Sequence, residues 1–95
     1  MAVAVVQRFE GATLDQYDQI LDKMGLSRGG PTPQGALFHW VAATDDGLLV
    51  TDVWEDRETF DRFAQEQIGP YSAEVGITDP PQMTFHELHN YLARS

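Results

Sequence analysis

His39, Asp52 and Trp54 are the side chains of this sequence whose types and spacing most suggest chemistry. They lie on two strand-like runs, 36–43 and 48–55, joined by Thr44-Asp45-Asp46-Gly47. An Asp-Gly step between such runs signals a β-hairpin. With Asp46-Gly47 as the two turn residues, His39 pairs with Trp54 and Val41 with Asp52. With Asp45-Asp46 as the turn the partners shift, yet the same three residues still share one face. A three-residue loop would put His39 opposite Val53. A carboxylate beside an imidazole fixes the ring tautomer, and an indole supplies a flat wall for a planar ligand. In that arrangement His39 is the base or hydrogen-bond donor, Asp52 its orienter and Trp54 a wall. The plainer reading is a hydrogen-bonded histidine of the sheet or of a subunit interface.

The remaining candidates are less grouped. Tyr17, Tyr71 and Phe63 sit on apolar helix stripes, where they serve either as ligand-contacting walls or as core rings, the tyrosines with a wet hydroxyl tip. His86 and His89 are three apart in a run that reads as a strand, Met83 to Leu92, so alternation sends them to opposite faces. His39, His86, His89, Asp52 and Glu87 show no spacing on one element that converges on a metal, and there is no cysteine. Neither a metal site nor a cofactor is expected.

The elements that must position these residues are legible in outline. Ala2 to Phe9 is a valine-rich strand. Thr13-Leu14-Asp15-Gln16 has the form of a capping box, and Leu14, Tyr17, Ile20, Leu21 and Met24 recur near a 3.6-residue period. Gly25 and Leu26 read as a Schellman ending. Ser27 to Gly35 carries three glycines and two prolines and forms a loop. Asp56 caps a second helix whose stripe is Phe60, Phe63, Ala64 and Ile68; Gly69-Pro70 interrupts it, with a short final turn restarting at Pro70. Asp79-Pro80-Pro81 is a break before the last strand. The order βαββαβ implies an α+β, ferredoxin-like fold: a four-stranded antiparallel sheet with both helices on one face. The other face then needs a cover, and a second copy of a 95-residue chain is the simplest one.

With this order in place, the chain resembles the dimeric α+β barrel proteins, the group of small antibiotic-biosynthesis-type and heme-degrading monooxygenases. The resemblance spans nearly the whole chain. It is carried by Asp52-Val53-Trp54-Glu55 running into Asp56-Arg57-Glu58-Thr59-Phe60, and by the closing His86-Glu87-Leu88-His89-Asn90-Tyr91-Leu92. Leu37-Phe38-His39 taken with His89-Asn90-Tyr91 is similar to short bacterial members without an assigned activity. The resemblance implies an enclosed pocket between sheet and helices for a small aromatic or activated acidic molecule. It implies cofactor-independent oxygenation or isomerisation if the protein is an enzyme, and a ligand-binding or accessory dimer if it is not. Heme use is disfavoured, because the second helix, 59–75, contains no histidine to serve as axial ligand.

Composition sets the outer bounds. Fifteen acidic against six basic side chains give a formal charge of −9, which opposes binding to nucleic acid or an anionic membrane. The N-terminal apolar run is too short for a signal-peptide core or a membrane span. A single domain over 1–95, a homodimer and a cytoplasmic location are the expectations.

Overall fold

The computed structural model describes residues 1–93. Strand β1 (Val3–Glu10) alternates, with Val3, Val5 and Gln7 buried on one face and Ala4 and Val6 partly covered on the other. It lies between β3 (Gly47–Trp54) and β4 (Gln82–Glu87), and β2 (Ala36–Thr44) flanks β3, so the antiparallel sheet has the order β2-β3-β1-β4. The helix-facing side carries Val3, Val5 and Gln7 of β1, Val50, Asp52 and Trp54 of β3, and Phe85 of β4. Both crossovers lie over that side, as the βαββαβ order requires.

Helix α1 (Leu14–Met24) starts and stops where its sequence dictates. Thr13 Oγ1 accepts from the Gln16 N–H at 3.2 Å, and Gln16 Oε1 accepts from the Thr13 N–H at 2.9 Å. At its other end Gly25 takes φ 76°, while its N–H donates to the Asp22 carbonyl and the Leu26 N–H to Leu21. Gln16 also donates to the Val75 carbonyl at 3.1 Å, which fixes α1 against the end of the second helical segment.

That segment departs from the sequence expectation. It is not interrupted at Gly69-Pro70: α2 (Arg57–Phe63) runs through a π-helical turn, Ala64–Ile68, straight into α3 (Gly69–Glu74). Pro70 lacks an N–H and would clash with an α-helical carbonyl one turn earlier. The wider turn resolves this, with the Gly69 N–H donating to the Ala64 carbonyl five residues back. Asp56 caps the start, accepting from the Thr59 N–H at 2.7 Å.

Two further expectations are corrected. The hairpin turn is Asp45-Asp46, not Asp46-Gly47, because Thr44 pairs with Gly47. Gly47 belongs to the ladder, opposite Glu10 of β1, where a Cβ would collide with the Phe9 carbonyl. The last strand ends at Glu87 rather than Leu92, since β1, its only neighbour in the sheet, begins at Val3 opposite Glu87. His89, Asn90, Tyr91 and Leu92 therefore lie beyond the strand, and strand alternation says nothing of where His89 points.

Candidate functional site

The corrected register puts His39 directly opposite Asp52, with Trp54 two residues along the same face. The His39 Nδ1 to Asp52 Oδ1 distance is 2.5 Å, and Trp54 Nε1 donates to Asp52 Oδ2 at 3.2 Å. Gln7, across β1, donates from Nε2 to the same Oδ2 at 3.2 Å. A carboxylate that is 6 % exposed thus faces donors on both oxygens. Trp54 is fully buried and plays two parts: its N–H holds the carboxylate, and its ring meets Phe63 at 4.9 Å between centroids and Phe60 edge-on at 5.7 Å.

A β-bulge beside this group shapes the space above it. Leu37 is the extra residue, so Ala36 rather than Leu37 stands across from Trp54. The smaller side chain leaves room next to the indole, and Leu37 is turned out to 37 % exposure.

Helix α1 completes the site. Its inward stripe brings the Tyr17 hydroxyl to 2.5 Å from His39 Nε2, with the two rings near parallel, 12° apart at 5.9 Å. Since the carboxylate accepts at Nδ1, that nitrogen carries the proton, and Nε2 is left to accept from the tyrosine O–H. The result is a linear chain of hydrogen bonds, Tyr17 to His39 to Asp52. Burial, reinforced by the negative charges of Asp52 and Asp18, pushes the Tyr17 hydroxyl up to about 12. Tyr17 is therefore a neutral donor at ordinary pH.

The chain of hydrogen bonds lies where two spaces meet. Behind it, between sheet and helices, is a mainly apolar cavity of about 90 Å³ lined by Tyr17, Leu21, Met24, Trp54, Phe63 and Ile68 among others. In front is a wider cleft of about 500 Å³ walled by Ser27–Pro33 of the glycine- and proline-rich loop and by Trp40. Tyr17 and His39 line both. Phe63 and Ile68 flank and end the π-helical turn, so the device that accommodates Pro70 also sets two cavity walls. Tyr71 does not line either space.

Two side chains that sequence reasoning passed over also line the cavity. Gln7 is 1 % exposed and Ser72 7 %, and Gln7 Oε1 and Ser72 Oγ have no hydrogen-bond partner among the described residues. A glutamine in the middle of a valine-rich strand, on the face that reads as core, was the available signal.

Among the described residues no group of three or more histidine, aspartate or glutamate side chains is placed to hold a metal ion, and no helix is long and apolar enough to cross a membrane. No protein-family model and no curated protein matches the chain. Solved structures do. The structure of Rv0793 from Mycobacterium tuberculosis aligns over 98 % of this chain and 100 % of its own, with a TM-score of 0.64 and 22 % identity. SnoaB, a cofactor-independent oxygenase from Streptomyces nogalater, aligns over 98 % of both chains with a TM-score of 0.60 and 18 % identity. The ActVA-Orf6 monooxygenase of Streptomyces coelicolor, in complex with nanaomycin D, covers 99 % of this chain and 92 % of its own at TM-score 0.56 and 20 % identity. The fold is that of the antibiotic-biosynthesis-monooxygenase-like proteins. Within that fold, the Tyr17, His39 and Asp52 constellation belongs to this chain's own residues, because identity this low transfers architecture and no site.

Proposed function

We propose that the chain is a small-molecule pocket protein of antibiotic-biosynthesis-monooxygenase type, working as a homodimer on a small planar aromatic or activated acidic substrate without a cofactor. The observation that carries this is the Tyr17–His39–Asp52 chain of hydrogen bonds at the mouth of an apolar cavity. An acidic C–H or O–H of the substrate gives its proton to the Tyr17 oxygen while the Tyr17 proton passes to His39 Nε2, and the imidazolium so formed faces the Asp52 carboxylate. Returned to another carbon, the proton completes an isomerisation. Alternatively the substrate carbanion adds dioxygen, takes the proton back as a hydroperoxide and loses water to leave a carbonyl. Trp54 and Phe63 supply flat walls. The nanaomycin D held by the Streptomyces coelicolor neighbour supports a small-molecule ligand in this reading.

A second reading has its own support: Tyr17 already occupies His39 Nε2, as a purely structural network in a non-catalytic ligand binder would. One experiment separates the two. Anthrone, a planar carbon acid, is incubated with the protein in deuterated buffer and in an oxygen electrode, with nanaomycin D as a binding probe. Enzyme chemistry predicts accelerated deuterium exchange or dioxygen uptake, abolished in His39→Gln while the variant stays folded and binds. Binding without exchange or uptake in the parent selects the binder. A His39→Gln protein with parental turnover removes His39 from the mechanism.

A further inference from the structure

We infer that Gln7 and Ser72 form a recognition subsite for a neutral hydrogen-bond donor, a hydroxyl or N–H carried by the leading ring of the ligand. The inference rests on the pocket reading above and deepens it by naming the polar group that the cavity is built to take.

The orientation of the Gln7 amide is fixed by chemistry. Its one partner is Asp52 Oδ2 at 3.2 Å, and a carboxylate accepts, so the nitrogen arm points there and the carbonyl arm is the free one. Gln7 Oε1 can only accept. Leaving a buried acceptor unpaired is costly, and native interiors do so rarely. Here two such atoms, Gln7 Oε1 and Ser72 Oγ, belong to residues that line one cavity, from β1 on the sheet side and α3 on the helix side. Every other wall residue named above is apolar or already bonded. Both atoms are closed off from solvent, so binding must turn the two side chains toward the cavity. A ligand hydroxyl can then donate to Gln7 Oε1 and, as an acceptor, take the Ser72 O–H, whereas an ether or carboxylate cannot satisfy Gln7.

Size agrees with a single leading ring. The cavity of about 90 Å³ is about three-fifths of the ~150 Å³ apolar cavity that holds benzene, so nothing larger than one ring enters it and its walls must yield to admit that ring, while the rest of a larger planar ligand stays in the outer cleft beside Tyr17 and His39. Gln7 then links the two ends of the site, since the amide that reads the ligand donor also holds the Asp52 carboxylate that orients His39.

Phenol and toluene, matched in shape and different by one donor, are the probes. Their dissociation constants are measured by ligand-detected NMR on the parent, Gln7→Met, Ser72→Ala and Tyr17→Phe proteins, each checked for folding by circular dichroism. The expected result is a phenol-to-toluene preference that falls about three- to tenfold in Gln7→Met and also falls in Ser72→Ala, whatever Tyr17→Phe does to it. Ser72→Ala exchanges a buried unpartnered hydroxyl for hydrogen and keeps the test alive if Gln7→Met does not fold. A preference unchanged in both overturns the subsite. A preference lost only in Tyr17→Phe also overturns it, and leaves the Tyr17–His39–Asp52 reading standing. Binding of neither probe to the parent removes the cavity reading itself, and the subsite with it.

Discussion

At the scale of single residues, Tyr17 decides what a ligand meets first. His39 is tied at both ring nitrogens, so its chemistry reaches the cavity through the tyrosine hydroxyl. The hydroxyl is raised from 10.0 to about 12 by burial and by the carboxylates of Asp52 and Asp18. A folded-state value above the unfolded one means the stabilising neutral form is fully kept below pH 10 and lost as pH rises through about 12. Tyrosinate absorbance in the parent should therefore still be rising at about pH 12, above the range of an ordinary tyrosine, and Tyr17→Phe should remove that late component. A Tyr17→Phe protein that loses its amplitude near pH 10 instead would place the hydroxyl in water. The same scale yields a stability test. His39→Gln leaves Asp52 Oδ1 and the Tyr17 hydroxyl to find new partners, and chemical denaturation should register a loss on the order of 1–3 kcal/mol.

At the scale of elements, legibility follows how local the determining physics is. The Thr13 to Gln16 capping box and the Gly25 ending depend on residues within one turn, and both were readable from spacing. The grouping of His39, Asp52 and Trp54 was readable because strand alternation preserves it in two registers, but which register holds was not. That depends on Gly47 approaching β1, a contact between strands far apart in sequence. The same limit hid Tyr17 as the partner of His39: nothing in β2 reports which turn of α1 will lie above it. Pro70 misled for a different reason, since a helix can absorb a proline by widening one turn instead of breaking. The loop Ser27–Gly35 is where an element is expected to respond to ligand. It walls the outer cleft with few hydrogen bonds of its own, among them the Gly30 N–H to the Ser27 carbonyl and, from a side chain, the Thr32 hydroxyl to the Ala36 carbonyl. Its amides should exchange fast in the free protein and slow when nanaomycin D occupies the cleft. Slow exchange without ligand would show the loop to be fixed wall and no gate.

At the scale of the whole molecule, the helix-free face of the sheet is what remains to be covered. Phe38 and Trp40 of β2 are 39 % and 41 % exposed there, alongside Val6 of β1 and Leu49 of β3 on the same face. These apolar side chains, with Thr51 between Trp40 and Val6 and Arg8 beside Leu49, stand on a chain whose net charge of −9 otherwise keeps copies apart. A two-fold pair of sheets buries the same residues on both copies and needs no complementary patch elsewhere, which makes a second copy the economical occupant. Many acidic side chains sit instead on the helices and turns, Asp15, Asp18 and Asp22 of α1 and Asp45 and Asp46 of the hairpin, while on this face β1 places Glu10 next to Arg8 in the alternation. Sedimentation velocity at micromolar concentration should show a dimer. Trp40→Glu would place a charge within that face and should shift the equilibrium to monomer while leaving far-UV dichroism intact, because Trp40 points away from the core that holds Val5, Trp54 and Phe60. The outer cleft is also lined by Trp40, so the pair would bring the interface to the edge of the candidate site, and loss of the dimer should weaken nanaomycin D binding. A parent protein that sediments as a monomer would remove the cover for this face and, with it, the reason its aromatic residues are there.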